Sequence, residues 1–281
     1  MMDGHAAHPA RPMFDAYLQR WNLAPAGAPI TTPAARLLPV LHEGQPAMLK
    51  ISHEQDEREG GVLMRWWDGQ GAARVLAHDD DAILLERATG TRSLAEYARN
   101  GRDDEATRII CDVLARLHAP RAKAPPPLRT LESWFVDLWP MAQAQGGILA
   151  DCARHARALL DDPRDPAVLH GDVHHDNILD FGERGWLVID PKRLHGERAF
   201  DYANIFCNPD LADPRPPVAI VPGCFDRRFA LITTASGLEP RRLLQWIAAW
   251  CGLSAAWFMG DGDDAAIDLN IAGQALARLA R

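Results

Sequence analysis

Cysteine is scarce in this chain, five residues in 281, and Cys111, Cys152, Cys207, Cys224 and Cys251 form no CxxC pair. An odd, dispersed set of thiols is neither a disulfide framework nor a zinc-ribbon spacing, and it reads as reduced thiols in a cytoplasmic protein. Positive charge is also short: Lys plus Arg total 30 against 38 for Asp plus Glu, a formal net charge of −8. No basic stripe for nucleic acid or an anionic membrane surface is therefore expected. The balance suits a cationic small molecule. No stretch approaches the roughly 20 apolar residues of a bilayer span, and the first residues, MMDGHAAHPARPMF, lack the charged-then-apolar order of a signal peptide. Neither HExxH nor GxxxxGK occurs, which removes two common metallohydrolase and nucleotidase signatures.

What remains is an ordinary globular composition, 47% hydrophobic and 24% charged, long enough for one large domain or two small ones. An amphipathic segment with Phe14, Tyr17, Leu18 and Trp21 comes first. ARLLPVL and AMLKIS then read as a β-hairpin between Ala34 and Ser52, with Gly44 in its turn. EREGGVLMRWW carries Val62, Leu63, Trp66 and Trp67 at helical spacing, although Gly60 and Gly61 each cost a helix interior about 1 kcal/mol. ARVLAHDDDAILLER reads as two further strands around an acidic turn. Beyond Arg92 helical patterns dominate. Asp103 and Asp104 are placed to cap a helix with Ile109, Ile110, Val113, Leu114 and Leu117 on one face. Further helices are expected from Leu131 to Leu160 and from Arg241 onward. The fold class is α+β: residues 1–85 form a small β-rich lobe, 86–92 a linker, and 93–281 a larger helical lobe.

One β-like insert in the helical part carries the chemistry, AVLHGDVHHDNILDFGERGWLVIDPKRLHGERAFD from Ala167 to Asp201. Ile178–Phe181 and Trp186–Ile189 are apolar runs around Gly-Glu-Arg-Gly, a hairpin signal. A four-residue turn sets Phe181 opposite Trp186, and so Asn177 opposite Asp190 at the open end. Opposed residues lie roughly 4.5–5.5 Å apart on one face. An amide oxygen and a carboxylate held so could share Mg²⁺, a hard cation that takes oxygen ligands. Asp172 lies just upstream, after His170 and Gly171.

HGDVHHDN resembles the HGDxxxxN catalytic motif of the aminoglycoside phosphotransferases, which share the two-lobed protein-kinase-like fold. AMLKIS, EREGGVLMRWWDGQGAARVL, LLER and WLVIDPKRLHGERAFD extend the likeness to the streptomycin 6-kinase and hydroxyurea phosphotransferase branch, over roughly residues 30 to 260. The resemblance implies an ATP- and Mg²⁺-dependent O-phosphotransferase acting on a small hydroxyl compound such as a cationic aminoglycoside. It implies Lys50 on the α/β-phosphates and Glu59 as its helix partner, Glu57 being the alternative register. Backbone of Glu86, Arg87 and Ala88 would meet the adenine. Asp172 would be the base, and Asn177 and Asp190 would bind Mg²⁺. The phosphate-covering turn, in HEGQP or TTPAAR, holds at most one glycine, fewer than in protein kinases.

Other readings stand beside these. His170 reads as a structural residue of its loop, and Asp201 as a hydrogen-bonding one. His174 and His175, with their neighbouring aspartates, could ligate a metal in a hydrolase. Trp134, Trp139, Trp250 and Trp257 read mostly as core, with one or two available to line an acceptor pocket. A kinase-fold binding module without turnover is the remaining class.

Overall fold

Alternation along ARLLPVLH and QPAMLKIS puts Leu38, Val40, Ala47, Leu49 and Ile51 on one buried face. Lys50, at the position between Leu49 and Ile51, points to the other. In the computed structural model, which describes residues 12–32, 34–52 and 55–281 and only the backbone of residues 12 and 55–59, this hairpin is the centre of the first lobe. The lobe runs α1 (Pro12–Arg20), β1 (Leu23–Pro25), β2 (Ile30–Thr31), β3 (Ala35–His42), β4 (Gln45–Ser52), α2 (Gln55–Trp67), β5 (Val75–His78) and β6 (Ala82–Glu86). The sheet order is β1-β3-β4-β6-β5, with β2 on β3. Glu43 and Gly44 make the β3–β4 turn with φ of 51° and 77°, the left-handed pair that a two-residue hairpin needs. Phe14 of α1 is fully buried against the apolar face of the sheet.

The glycines of α2 have a packing reason. A Cβ at Gly60 would stand 2.5 Å from the carbonyl oxygen of Pro191, and one at Gly61 would stand 2.9 Å from Ile83 Cδ1. The helix therefore lies directly on the segment that follows Asp190. Leu63 and Trp67, about one and two turns on, are fully buried.

The second lobe comprises α3 (Leu94–Tyr97), a π-helical turn (Ala98–Arg102), α4 (Asp103–His118), β7 (Arg129–Thr130), α5 (Leu131–Trp134), α6 (Leu138–Gln145), α7 (Gly147–Asp161), β8 (Pro166–Leu169), β9 (Ile178–Asp180), β10 (Trp186–Val188), β11 (Leu194–Glu197), α8 (Phe200–Ala203), α9 (Cys224–Ser236), α10 (Pro240–Asp261) and α11 (Ala266–Leu279). Together the lobes make a two-lobed, kinase-like α+β fold. α10 is the core helix, packed on α7, α11, α6 and α8. Contrary to the expectation that no segment reaches membrane-spanning length, its 22 residues do so by length and composition, with 72% of the most apolar window buried inside the lobe. The helical stretch expected from Leu131 to Leu160 consists of three helices, separated at Phe135–Asp137 and Gly146.

Two further expectations change. Asp103 makes no capping bond, because the chain enters α4 from the π-helical turn rather than from a loop. Its carboxylate is buried on Arg228 instead, 2.6 Å away. In the insert, Phe181 N–H bonds Gly185 O and Gly182–Arg184 form a 3₁₀ turn, so three residues turn the chain, not four. The register is Trp186 to Asp180 and Val188 to Ile178. Asn177 is therefore level with Ile189, whose N–H it accepts at 2.9 Å, and does not oppose Asp190. Asp190 has a φ of 59°, a left-handed kink that takes it off the strand line.

Candidate active site

Lys50 and Asp190 come together across 140 positions of sequence, Nζ to Oδ1 at 2.7 Å. The lysine is 5% exposed. β4 aims it, with Leu37 and Ile83 as its strand partners. The same register settles which turn lies nearby. Ala35 pairs with Ser52, so the turn after β2, tied by Thr32 Oγ1 accepting from Ala35 N–H at 3.0 Å, lies at the Lys50 end. HEGQP lies at the opposite end, where His42 pairs with Gln45. Glu59 and Glu57 are on α2, but their side chains lie outside the described residues.

The loop after β8 holds Asp172 by a dense set of bonds. The Asp201 carboxylate accepts the backbone N–H groups of His170 (2.9 Å) and Gly171 (2.8 Å), and His118 Nε2 meets the same carboxylate at 2.8 Å. His170 Nδ1 accepts the Asp172 N–H at 3.2 Å, so its Nε2 carries the proton donated to Ile189 O at 2.8 Å. Complete burial pushes the His170 imidazolium pKa down, which keeps this neutral form. Gly171 has a φ of 86°, and a Cβ there would meet Leu194 at 2.8 Å. His170 and Asp201 are thus structural, as expected from sequence.

Asp172 itself, about one-third exposed, accepts from Asn204 Nδ2 at 3.2 Å, with Lys192 Nζ 3.8 Å away. Asn177 Nδ2 donates to the Asp172 backbone carbonyl at 2.9 Å, which turns the Asn177 amide oxygen away from that bond. Asn177 and Asp190 thus offer an amide oxygen and a carboxylate, the hard donors that suit Mg²⁺. His174 Nδ1 caps the Asp176 N–H, and the fully buried His175 has both ring nitrogens without a partner. Among the described residues, the only His/Cys/Asp/Glu group with convergent ligand atoms is Cys207, Cys251 and Asp268, buried in the helical core. The hydrolase reading has no metal cluster in the HHD segment.

Glu86 binds Arg184 of the catalytic hairpin through its side chain, and its carboxylate also accepts the Arg74 N–H at 2.6 Å. The N–H groups of Glu86 and Arg87 are spent on the carbonyls of Arg74 and Pro46. Ala88 borders an apolar cluster of Met64, Ala73, Leu85, Phe181 and Leu187. Gly90 N–H bonds Asp180 O, and Arg92 grips the Asp180 carboxylate with two 2.7 Å bonds, holding its pKa down to about 2. Residues 71–73 also bond Val188 of β10 at both its N–H and its C=O, each at 3.0 Å.

Asn204 and His118 were missed in the sequence, as was the role of Arg228. Asn204 stands one helical turn after Asp201, a spacing that puts both on the face toward the His170–Asp172 loop. Arg228 donates to Ile205 O and Asn208 O at 2.5 and 2.6 Å, which pins the turn carrying Asn204. Beside Asp172 opens a cavity of about 350 Å³ bounded by α5, the segment after α8, and α10.

A buried strand lysine on a left-handed aspartate, with a second aspartate at the mouth of an open cavity, defines a kinase-like phosphotransferase. The chain belongs to the aminoglycoside/hydroxyurea antibiotic resistance kinase family, whose model matches residues 20–262. It is an ATP-dependent small-molecule O-phosphotransferase. It is 53% identical to the streptomycin 3''-kinase of Klebsiella pneumoniae, covering 93% of this chain and 98% of that one. The streptomycin 6-kinase of Streptomyces glaucescens is 32% identical, covering 94% and 86%. Among solved structures, aminoglycoside phosphotransferase APH(4)-Ia superposes with a TM-score of 0.67 at 15% identity over 95% of this chain and 98% of that one, which bears on the fold.

Proposed function

We propose that the protein transfers the γ-phosphoryl group of ATP to a hydroxyl of streptomycin. The observation that supports the substrate is the 53% identity with a streptomycin 3''-kinase along nearly its whole length. That likeness favours the 3'' position, a choice the sequence resemblance leaves open. In this reading residues 1–85 bind the nucleotide, 86–92 link the lobes and 93–281 hold the acceptor. Adenine lies on the apolar cluster beside Ala88, where the Ala88 amide is the linker donor and Glu86 and Arg87 act by shaping the strand end.

Asp172 accepts the proton of the attacking hydroxyl, held by Asn204 at one carboxylate oxygen and by the His170 and Asn177 bonds to its backbone. Lys50 positions the phosphates, and its contact with Asp190 sets the distance between the lobes. Glu59 is assigned to hold Lys50 from α2. Asn177 and Asp190 would hold Mg²⁺, which when bound neutralises charge on the transferring phosphoryl oxygens. The rest of the rate comes from positioning.

The test is an ATP-consumption assay of purified protein with streptomycin, other aminoglycosides and hydroxyurea, read by mass spectrometry for a gain of about 80 Da, one HPO₃. A singly phosphorylated streptomycin that disappears in Asp172→Ala is the expected result. Turnover of hydroxyurea or another alcohol with none of streptomycin rejects the substrate and keeps the kinase.

A further inference from the structure

The cavity beside Asp172 has a charge inventory unlike that of the whole chain. Among the described residues that line it, Asp172 is the only carboxylate, and Lys192 and His174 bring basic groups. The net charge of −8 is therefore spent elsewhere. Apart from Asp172 the lining offers a cationic acceptor no carboxylate, and Asp137, which accepts from Trp257 Nε1, stands outside it. It finds aromatic rings instead: Trp134, Trp250, Trp257 and Phe258 share the wall.

Of these, Trp257 is the best placed. Trp250 is 5% exposed and belongs to the core, whereas Trp257 and Trp134 are half-buried. Arg129 already stacks its guanidinium 4.8 Å from the Trp134 ring centre. Trp134 meets Trp257 at 78°, with centroids 5.6 Å apart, which braces the second indole. Trp257 Nε1 donates to Asp137 Oδ2 at 3.0 Å. That bond fixes the ring, and a carboxylate on the indole N–H enriches the π face in electron density. Indole is the strongest aromatic platform for a cation, and guanidinium is a common guest.

We propose that Trp257, braced by Trp134 and polarised by Asp137, is the subsite that binds a guanidinium group of the acceptor through its π face. The inference rests on the reading of the protein as a streptomycin kinase, since streptomycin carries two guanidinium groups. It assigns acceptor recognition to an aromatic wall rather than to an acidic patch. Trp257 is a specificity residue and takes no part in proton transfer.

The test compares streptomycin with an analogue whose guanidinium groups are replaced by neutral ureas, using the full chain and saturating ATP. For the unaltered protein, the analogue should show a KM about 5–30-fold higher, the range of one cation–π contact. Trp257→Leu should raise the KM for streptomycin by a similar factor, more than it lowers kcat, and should move the analogue's KM little. Trp257→Phe should retain part of the preference, and Asp137→Asn should reduce it without removing the ring. If Trp257→Leu does not fold, as judged by thermal denaturation, those two variants decide the matter alone. Equal KM values for the two acceptors in the unaltered protein overturn the aromatic subsite and leave the kinase reading standing. So does a preference that survives in every variant. No turnover of either acceptor by the unaltered protein overturns the streptomycin reading itself, and the subsite with it.

Discussion

A methyl group added at Gly60 separates packing from catalysis. Its Cβ would stand 2.5 Å from Pro191 O, a main-chain atom one residue beyond Asp190. Carbon–oxygen contacts settle at about 3.3 Å or more, so α2 and the Asp190–Pro191 segment must part by about 0.8 Å. Neither partner can rotate away, because both atoms belong to or sit directly on backbone. Replacing a helical glycine by alanine gains about 1 kcal/mol of propensity, against about 1–3 kcal/mol for overpacking. Net stability should therefore fall by between zero and about 2 kcal/mol. Activity should not survive so well, since a displacement of about 1 Å in a reacting array costs on the order of 10²-fold. Gly60→Ala is expected to lower kcat/KM for streptomycin phosphorylation roughly 30–100-fold with Tm shifted by only a few degrees. Gly61→Ala is the matched control. Its Cβ meets the end of the Ile83 side chain at 2.9 Å, and that methyl can move. It should keep kcat/KM within about threefold and hold or raise Tm, because the propensity gain is the same. Steady-state kinetics and calorimetry on both variants check this. Unimpaired turnover in Gly60→Ala, or a larger loss in Gly61→Ala, would refute the contact between α2 and the Asp190 segment as a determinant of cleft geometry.

Asp172→Asn should lower kcat by about 10²–10⁴-fold while the KM for ATP stays within about threefold, measured by initial rates at varied ATP. Asp103→Ala strands the fully buried Arg228 guanidinium and should cost about 3–5 kcal/mol in urea unfolding. Asp268 is fully buried, and burial pushes its pKa up to about 6 from 3.8 against the smaller opposing pull of the Ser254 and Cys207 side chains. Between those values the folded protein holds a proton that the unfolded chain has lost. The stability present below pH ~4 is thus lost as pH rises to about 6, on the order of 3 kcal/mol. Asp268→Asn should flatten that slope in thermal melts and raise Tm at pH 7.5 relative to the unaltered protein; an unchanged slope would show that Asp268 does not titrate there.

The β3–β4 hairpin could be read from sequence because two short apolar runs flank a polar turn that carries a glycine. The catalytic hairpin was read one residue out of register. Its turn uses Gly182–Arg184 as a 3₁₀ step closed by Gly185 at a φ of 73°, and GERG alone does not distinguish three turn residues from four. The error moved Asn177 from Ile189 to Asp190. The approach of Asp190 to Lys50 does not depend on that register, because it comes from the kink at Asp190 and not from facing Asn177 across a ladder. The Lys50–Asp190 contact spans 140 positions and became legible only through family likeness. Asn204 stayed hidden because its bond to Asp172 joins segments whose approach depends on Asp201 and Arg228 packing first.

These differences follow a division within the helical lobe. Asp172, Asn177 and Asp190 lie in one continuous insert, where short-range hydrogen bonds tie Asn177 to the Asp172 carbonyl and to Ile189, the residue before Asp190. The acceptor wall has no such continuity: Trp134 comes from α5, and Trp250 and Trp257 from α10, in a helical core whose apolar pattern reports burial but not which rings face a cavity. Phosphoryl transfer asks the same of the insert whatever the alcohol. In the proposed reading, Gly171, Asp172 and His174 of the HGDVHHDN loop line the reacting side of the cavity, and α5, α10 and the segment after α8 line the side that matches the acceptor's shape and charge. A change of acceptor is then expected to fall on those three segments rather than on Asp172, which is why that loop announces a kinase without naming its substrate.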